Sequence, residues 1–250
     1  MTRRSSEGNQ VGQPIGDVLN RRSDLSTFLV HLTRNTPEGT SARENLTAIL
    51  RDGTLRALSA MGWARDVART LGPEAEETQK VVCFSETPLE QVFSMFADIE
   101  GRDIALQPYG VAFTKMTARR KGVNPVWYVD MTPGRTWVQA KALNQLRADA
   151  AADAAAFVGH AGSKLFPFIE PMGTWPERQR EFWWEREWRH TGDMAFDRQE
   201  IALVLCPAVE MPEFETLVPG KCVDPTWSLE RIIAQLVKLS PEAVTPFASR

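Results

Sequence analysis

Phe28-Leu29-Val30-His31-Leu32-Thr33 is the stretch that decides the fold, because an apolar run carrying one histidine leads through a short loop to a helix with both ends marked. The run reads as a short buried strand. Thr36-Pro37-Glu38-Gly39-Thr40 follows as a loop, since proline and glycine interrupt regular structure. Ser41 and Glu44 then make a capping box, in which each side chain bonds the other's free backbone N–H. Leu46, Ile49 and Leu50 supply an apolar stripe at helical spacing, and Gly53 supplies a left-handed stop.

The same strand-to-helix pattern recurs. Val81-Val82-Cys83-Phe84 reads as a second buried strand. Thr87, Pro88 and Glu90 then give an N-cap, a first-turn proline and a capping-box acid. Residues 109–114 and 126–130 read as strands, with Arg119, Arg120, Lys121 and Gly122 in the turn between them. Residues 137–158 are alanine-rich and read as one long helix. Residues 167–176 are proline-rich and irregular. Residues 181–190 are strand-like, although a helix also fits their first half. Residues 201–206 form a strand and 228–239 a closing helix. No internal repeat appears. Strands and helices do not alternate steadily, which favours an α+β fold over a parallel α/β sheet. Residues 1–23 read as a flexible polar arm, and 24–250 as a single domain.

The chain has 250 residues, 43% of them hydrophobic and 24% charged, enough apolar material for one sizeable core. A net charge of −3 gives no long-range pull towards nucleic acid or acidic membranes. Cys83, Cys206 and Cys222 are odd in number and far apart, which suits unpaired thiols in a reducing compartment. The start lacks the apolar stretch of a signal peptide, and no run approaches the roughly 18 apolar residues that span a bilayer. The expectation is therefore a cytoplasmic protein without membrane contact. Phosphate-binding loops, dinucleotide glycine fingerprints and zinc-type spacings are absent from the sequence.

Four groups carry possible chemistry. His31 and Thr33 share one face of their strand and suit a ligand's hydroxyls, or else are a satisfied core histidine and a strand end. Ser85-Glu86-Thr87 joins a strand to a helix start, where polar groups hold a polar ligand or only cap the helix. In Trp184-Glu185-Arg186-Glu187-Trp188-Arg189, an extended chain puts Glu185, Glu187 and Arg189 on one face, with the carboxylates roughly 7 Å apart. That edge suits a ribose, or a surface strand with ion pairs. Tyr109-Gly110 precedes an apolar strand, and its glycine permits close backbone approach. The basic turn after it suits phosphates or plain solvation.

In order, these pieces resemble the AbiGi-type abortive-infection proteins of bacteria. The likeness rests on residues 29–33 with Asn45-Leu46 and Gly53, on residues 82–89, on residues 109–113 with 125–128, and on residues 185–189. The opening segment also resembles the DarT-type DNA ADP-ribosyltransferases and the RNA 2′-phosphotransferases. The resemblance implies an ADP-ribosyltransferase-like split mixed or antiparallel sheet with flanking helices. It implies NAD as co-substrate, contacted by His31, Thr33, Ser85, Tyr109 and Arg189. It implies a catalytic carboxylate at Glu187, the second of the glutamate-x-glutamate pair, or at Glu185. Trp183, Trp184 or Trp188 would stack on nicotinamide or on a target base. The function so implied is mono-ADP-ribosyl transfer to a nucleic acid or protein in anti-phage defence, with a cognate toxin or antitoxin as partner. The alternatives are an inactive antitoxin or phage-sensing module, and an NAD glycohydrolase toxin.

Overall fold

The computed structural model describes residues 22–97, 102, 104–134 and 137–239. The expected polar arm, 1–23, lies almost wholly outside them. The chain opens with β1 (Phe28–Leu32), α1 (Ala42–Asp52), β2 (Thr54–Leu55), β3 (Ser59–Ala60), α2 (Arg65–Leu71), α3 (Pro73–Glu77) and β4 (Lys80–Ser85). A 3-10 helix, Leu89–Phe96, leads to β5 (Gly110–Thr114), α4 (Lys115–Arg120), β6 (Asn124–Pro125) and β7 (Trp127–Asp130). Then come α5 (Val138–Ala150), α6 (Ala154–Gly159), β8 (Ile169–Trp175), β9 (Arg178–Arg180) and β10 (Glu187–Thr191). The last elements are β11 (Met194–Ala195), β12 (Ile201–Leu205), α7 (Met211–Leu217), β13 (Cys222–Val223) and α8 (Leu229–Leu236).

This is a mixed α+β fold. The main sheet runs β13-β12-β5-β1-β4-β10-β6, with β3 also on β4. Its pairs are antiparallel except β12 with β13. The consecutive apolar residues of β1 and β5 follow from burial on both faces. Leu29, Val111 and Phe113 face one cluster, with Leu46 and Leu50 of α1. Val30 and Ala112 face the other, with Val92, Met95 and Ile232. A third cluster joins α2, α5 and α6 to a smaller sheet, β7-β8-β9.

The main sheet has a weak seam. β1 is in register with β5 over five pairs, from Phe28↔Thr114 to Leu32↔Gly110. β4 is in register with β10 over five pairs, from Glu187↔Ser85 to Thr191↔Val81. Between β1 and β4 there is one pair, Val30↔Ser85. Past it the His31 side chain takes the place of backbone pairing, with Nδ1 2.9 Å from the Cys83 carbonyl oxygen.

The marked ends of α1 form as the sequence dictates: the Ser41–Glu44 box is complete, and Gly53 closes the helix at φ 63°. Ser228 caps α8. Several expectations are corrected. Thr87 caps nothing, because its hydroxyl bonds Ser85 Oγ at 2.7 Å, and the following helix is 3-10. The basic segment 115–120 is helical, capped by Thr114. The long alanine-rich helix breaks because Asp153 accepts from the Ala156 N–H at 2.8 Å and starts a second helix. Residues 169–175 form a strand despite Pro171 and Gly173. Gly173 is required there, since a Cβ would lie 2.7 Å from Thr132 Oγ1. Cys83, Cys206 and Cys222 are unpaired. Among the described residues no helix is long and apolar enough to cross a membrane.

Gly110 permits the close approach expected of it. A Cβ there would sit 2.4 Å from the His31 carbonyl oxygen, so β5 can lie against β1 only with glycine. Gly110→Ala is expected to destabilise the fold by about 1–3 kcal/mol through overpacking. Urea denaturation checks this; an unchanged midpoint contradicts it.

Candidate active site

The weak seam opens into a cleft of about 290 Å3. β1 contributes His31 and leads to Thr33 and Arg34; α1 contributes Asn45, Ile49 and Asp52; β4 contributes Cys83 and Ser85; and the approach to β10 contributes Glu185 and Glu187. Five of the residues chosen from sequence thus meet in one place: His31, Thr33, Ser85, Glu185 and Glu187. Tyr109 and Arg189 do not line it. Tyr109 donates its hydroxyl to Glu210 at 3.0 Å and packs against Phe214, 6.4 Å between ring centroids.

Burial disfavours the charged form of the His31 imidazole, and the nearby Arg34 charge lowers its proton affinity further; the Cys83 carbonyl opposes both. A carbonyl only accepts, so Nδ1 carries the proton and Nε2 keeps a lone pair. No protein group among the described residues bonds Nε2. Thr33 is less available, because its hydroxyl donates to the carbonyls of Ala42, at 2.8 Å, and Tyr109, at 3.2 Å.

The two glutamates differ sharply. Residues 182–185 form a 3-10 turn, Arg186 is left-handed at φ 47°, and β10 begins only at Glu187. The extended reading of 185–189 is therefore corrected: Glu187 and Arg189 share a strand face, while Glu185 reaches the cleft from the turn before it. Ser85 Oγ donates to the Glu185 carbonyl at 2.7 Å, and the Glu86 N–H donates to the Arg186 carbonyl at 3.2 Å. These bonds lock the turn onto β4, so Ser85 positions Glu185.

Glu187 is clamped. Arg189 donates to its two oxygens at 2.9 and 2.8 Å. That guanidinium has no exposed surface and also reaches Glu170, at 2.9 Å, and the Pro167 carbonyl, at 2.6 Å. Its two carboxylate partners hold its proton affinity well above the usual value, against the effect of burial. Arg189 is therefore a buried cross-link between β10 and β8, not a ligand contact. Beside it, burial and the Glu187 charge push the Cys83 thiol up, so it stays protonated.

Glu185 is held less tightly. Its Oε1 lies 3.3 Å from Arg102 Nη2, within ion-pair range, yet off the direction of a hydrogen bond. That oxygen is buried with no hydrogen-bond partner. Burial pushes the carboxyl up to about 7, with Arg102 opposing and Glu187 adding to the rise. Arg102 has no sequence signal, since it sits in a loop far from every motif. The tryptophans expected to stack on a ligand lie elsewhere. Trp183 is exposed, Trp184 packs against the Val30 cluster, and Trp188 donates to Glu86 at 2.8 Å.

No family model matches this chain, and neither a curated protein nor a solved structure matches it. Among the described residues no cluster of histidine, cysteine, aspartate or glutamate could hold a metal ion.

Two stability effects follow. Arg189→Met leaves half-buried Glu187 without its clamp and buried Glu170 with only Arg180 at 3.3 Å and Arg65 at 4.0 Å, and is expected to cost about 3–5 kcal/mol in denaturant unfolding; a loss below 1 kcal/mol contradicts the cross-link. Glu185 has a folded-state affinity for its proton raised from 4.5 to about 7. Its stabilisation is complete below pH 4.5 and is lost as pH rises through about 7. Glu185→Gln removes that loss, so from acid to pH 8 the variant should gain up to about 3 kcal/mol on the wild type. Parallel pH profiles of unfolding contradict it.

Proposed function

We propose that the cleft is the active site of an NAD-dependent mono-ADP-ribosyltransferase, with Glu185 as its reactive carboxyl. The observation that carries the reading is Glu185 itself: a half-buried carboxyl lining a cleft, one oxygen of which is buried without a hydrogen-bond partner among the described residues, with proton affinity raised to about 7 against the nearby Arg102. Perturbed groups of this kind cluster at functional sites. The cleft volume is at the low end for small-molecule sites. It suits one nucleoside portion of a dinucleotide, with the rest lying along the open seam. The split between the two halves of the main sheet accords with an ADP-ribosyltransferase-like fold.

In this reading the C1′–nicotinamide bond of NAD breaks, and its electron pair leaves with nicotinamide. Ionised Glu185 stabilises the positive charge developing on the ribose. An acceptor nucleophile bonds C1′ and passes its proton to Glu185. Glu187 lends its charge to the site but is kept in place by Arg189. His31 offers Nε2 to a ribose hydroxyl. A macromolecular acceptor and a role in abortive infection, with a toxin or antitoxin partner, rest on the resemblance to AbiGi-type and DarT-type proteins. So does a cytoplasmic setting.

Labelled NAD incubated with the protein and bacterial lysate tests the proposal. Label should enter a macromolecular fraction, and Glu185→Gln should reduce the rate at least about 100-fold. Because the carboxylate must be ionised, the rate should rise with pH through about 7. Free ADP-ribose without labelled macromolecule would favour the glycohydrolase. Absence of NAD turnover would favour a binding module, and full activity in Glu185→Gln would sink the mechanism.

A further inference from the structure

The cleft has a charge polarity that the reactive carboxyl does not account for. Its acidic end is at the approach to β10. Glu187 there is paired with Arg189, and Glu185 lies within ion-pair range of Arg102. Beyond β1, three residues past His31, the lining includes Arg34.

Arg34 is not used in holding the fold together. Among the described residues its one side-chain bond is a long one, from Nη2 to Ser59 Oγ at 3.4 Å. Among the described residues no carboxylate lies within ion-pair distance of it. The contrast with other cations nearby is clear. Arg56, also in the lining, is paired with Asp193 at 2.8 Å, and Arg43 is paired with Glu210 at 3.1 Å. Asp52 lines the same cleft and forms no pair with Arg34. The Arg34 backbone is nonetheless fixed, because Asn45 Nδ2 donates to its carbonyl at 2.8 Å. Its charge is close enough to His31 to lower that residue's proton affinity.

A half-buried guanidinium with no anion is poorly compensated, and a phosphate is its best partner because the planar fork donates two parallel hydrogen bonds. We infer that Arg34 is the phosphate-binding residue of this cleft, so that the site selects nucleotides over nucleosides. The inference rests on the proposal that the cleft takes a nucleotide co-substrate. It does not require that transfer occur.

Calorimetric titration with AMP and with adenosine separates the two ideas, because it needs no turnover. The wild type should bind AMP at least about tenfold more tightly than adenosine, and the ratio should shrink with added salt. Arg34→Gln should bring the ratio close to one with adenosine affinity unchanged, and Arg34→Lys should restore part of it. A thermal melt confirms that each variant is folded. A wild type without AMP preference, or one binding neither compound, overturns the inference. So does a folded Arg34→Gln variant that keeps the wild-type ratio. A protein that prefers AMP through Arg34 but never consumes NAD retires the transferase reading and leaves the phosphate site standing.

Discussion

One guanidinium, that of Arg189, ties the arrangement together. It has no contact with water and bonds Glu187 beside it, Glu170 on β8 and the carbonyl of Pro167. Such a group is tolerated in an interior only when its donors are met by acceptors. The requirement fixes β10 against β8 and so ties the main sheet to the smaller one. It also assigns the two glutamates different tasks. Glu187 satisfies the arginine, whereas Glu185, displaced by the left-handed Arg186, is left to face the cleft.

The cleft exists because the main sheet is nearly divided. β1 and β4 meet at one register pair, and beyond it a histidine side chain replaces the ladder. The bond that bridges the seam also fixes the tautomer of His31. Ser85 sits at the same register pair and holds the Glu185 turn. Seam, imidazole and carboxyl are thus set by neighbouring bonds. A small displacement of β1, such as a Cβ at Gly110 would force, reaches all three.

Much of this was legible in the sequence where the physics is local. The capping box of α1, the Gly53 stop and the apolar runs of β1, β4, β5 and β12 form as read. His31, Ser85, Glu185 and Glu187, marked by their local sequence, all line the cleft. The misreadings share a cause, which is tertiary competition for a polar side chain. Thr87 looked like a cap but bonds Ser85, and Asp153 looked like part of a helix but starts a new one. Glu185 looked extended, yet the chain turns at Arg186. Tyr109 and Arg189, expected as NAD contacts, do not line the cleft, and each bonds partners within the protein. Nothing in the local sequence marks Arg102, whose part depends on a loop meeting a distant turn. A Glu-x-Arg spacing on one strand face does hint at the Glu187–Arg189 clamp, though not at its burial.

The account stands or falls on the state of Glu185. Carbon-13 NMR titration of the glutamate side-chain carboxyls, with Glu185 assigned by the Glu185→Gln spectrum, measures it directly. The account predicts a midpoint near 7 for this carboxyl. A midpoint near 4.5, the ordinary glutamate value, would show a solvated or hydrogen-bonded group and would contradict it.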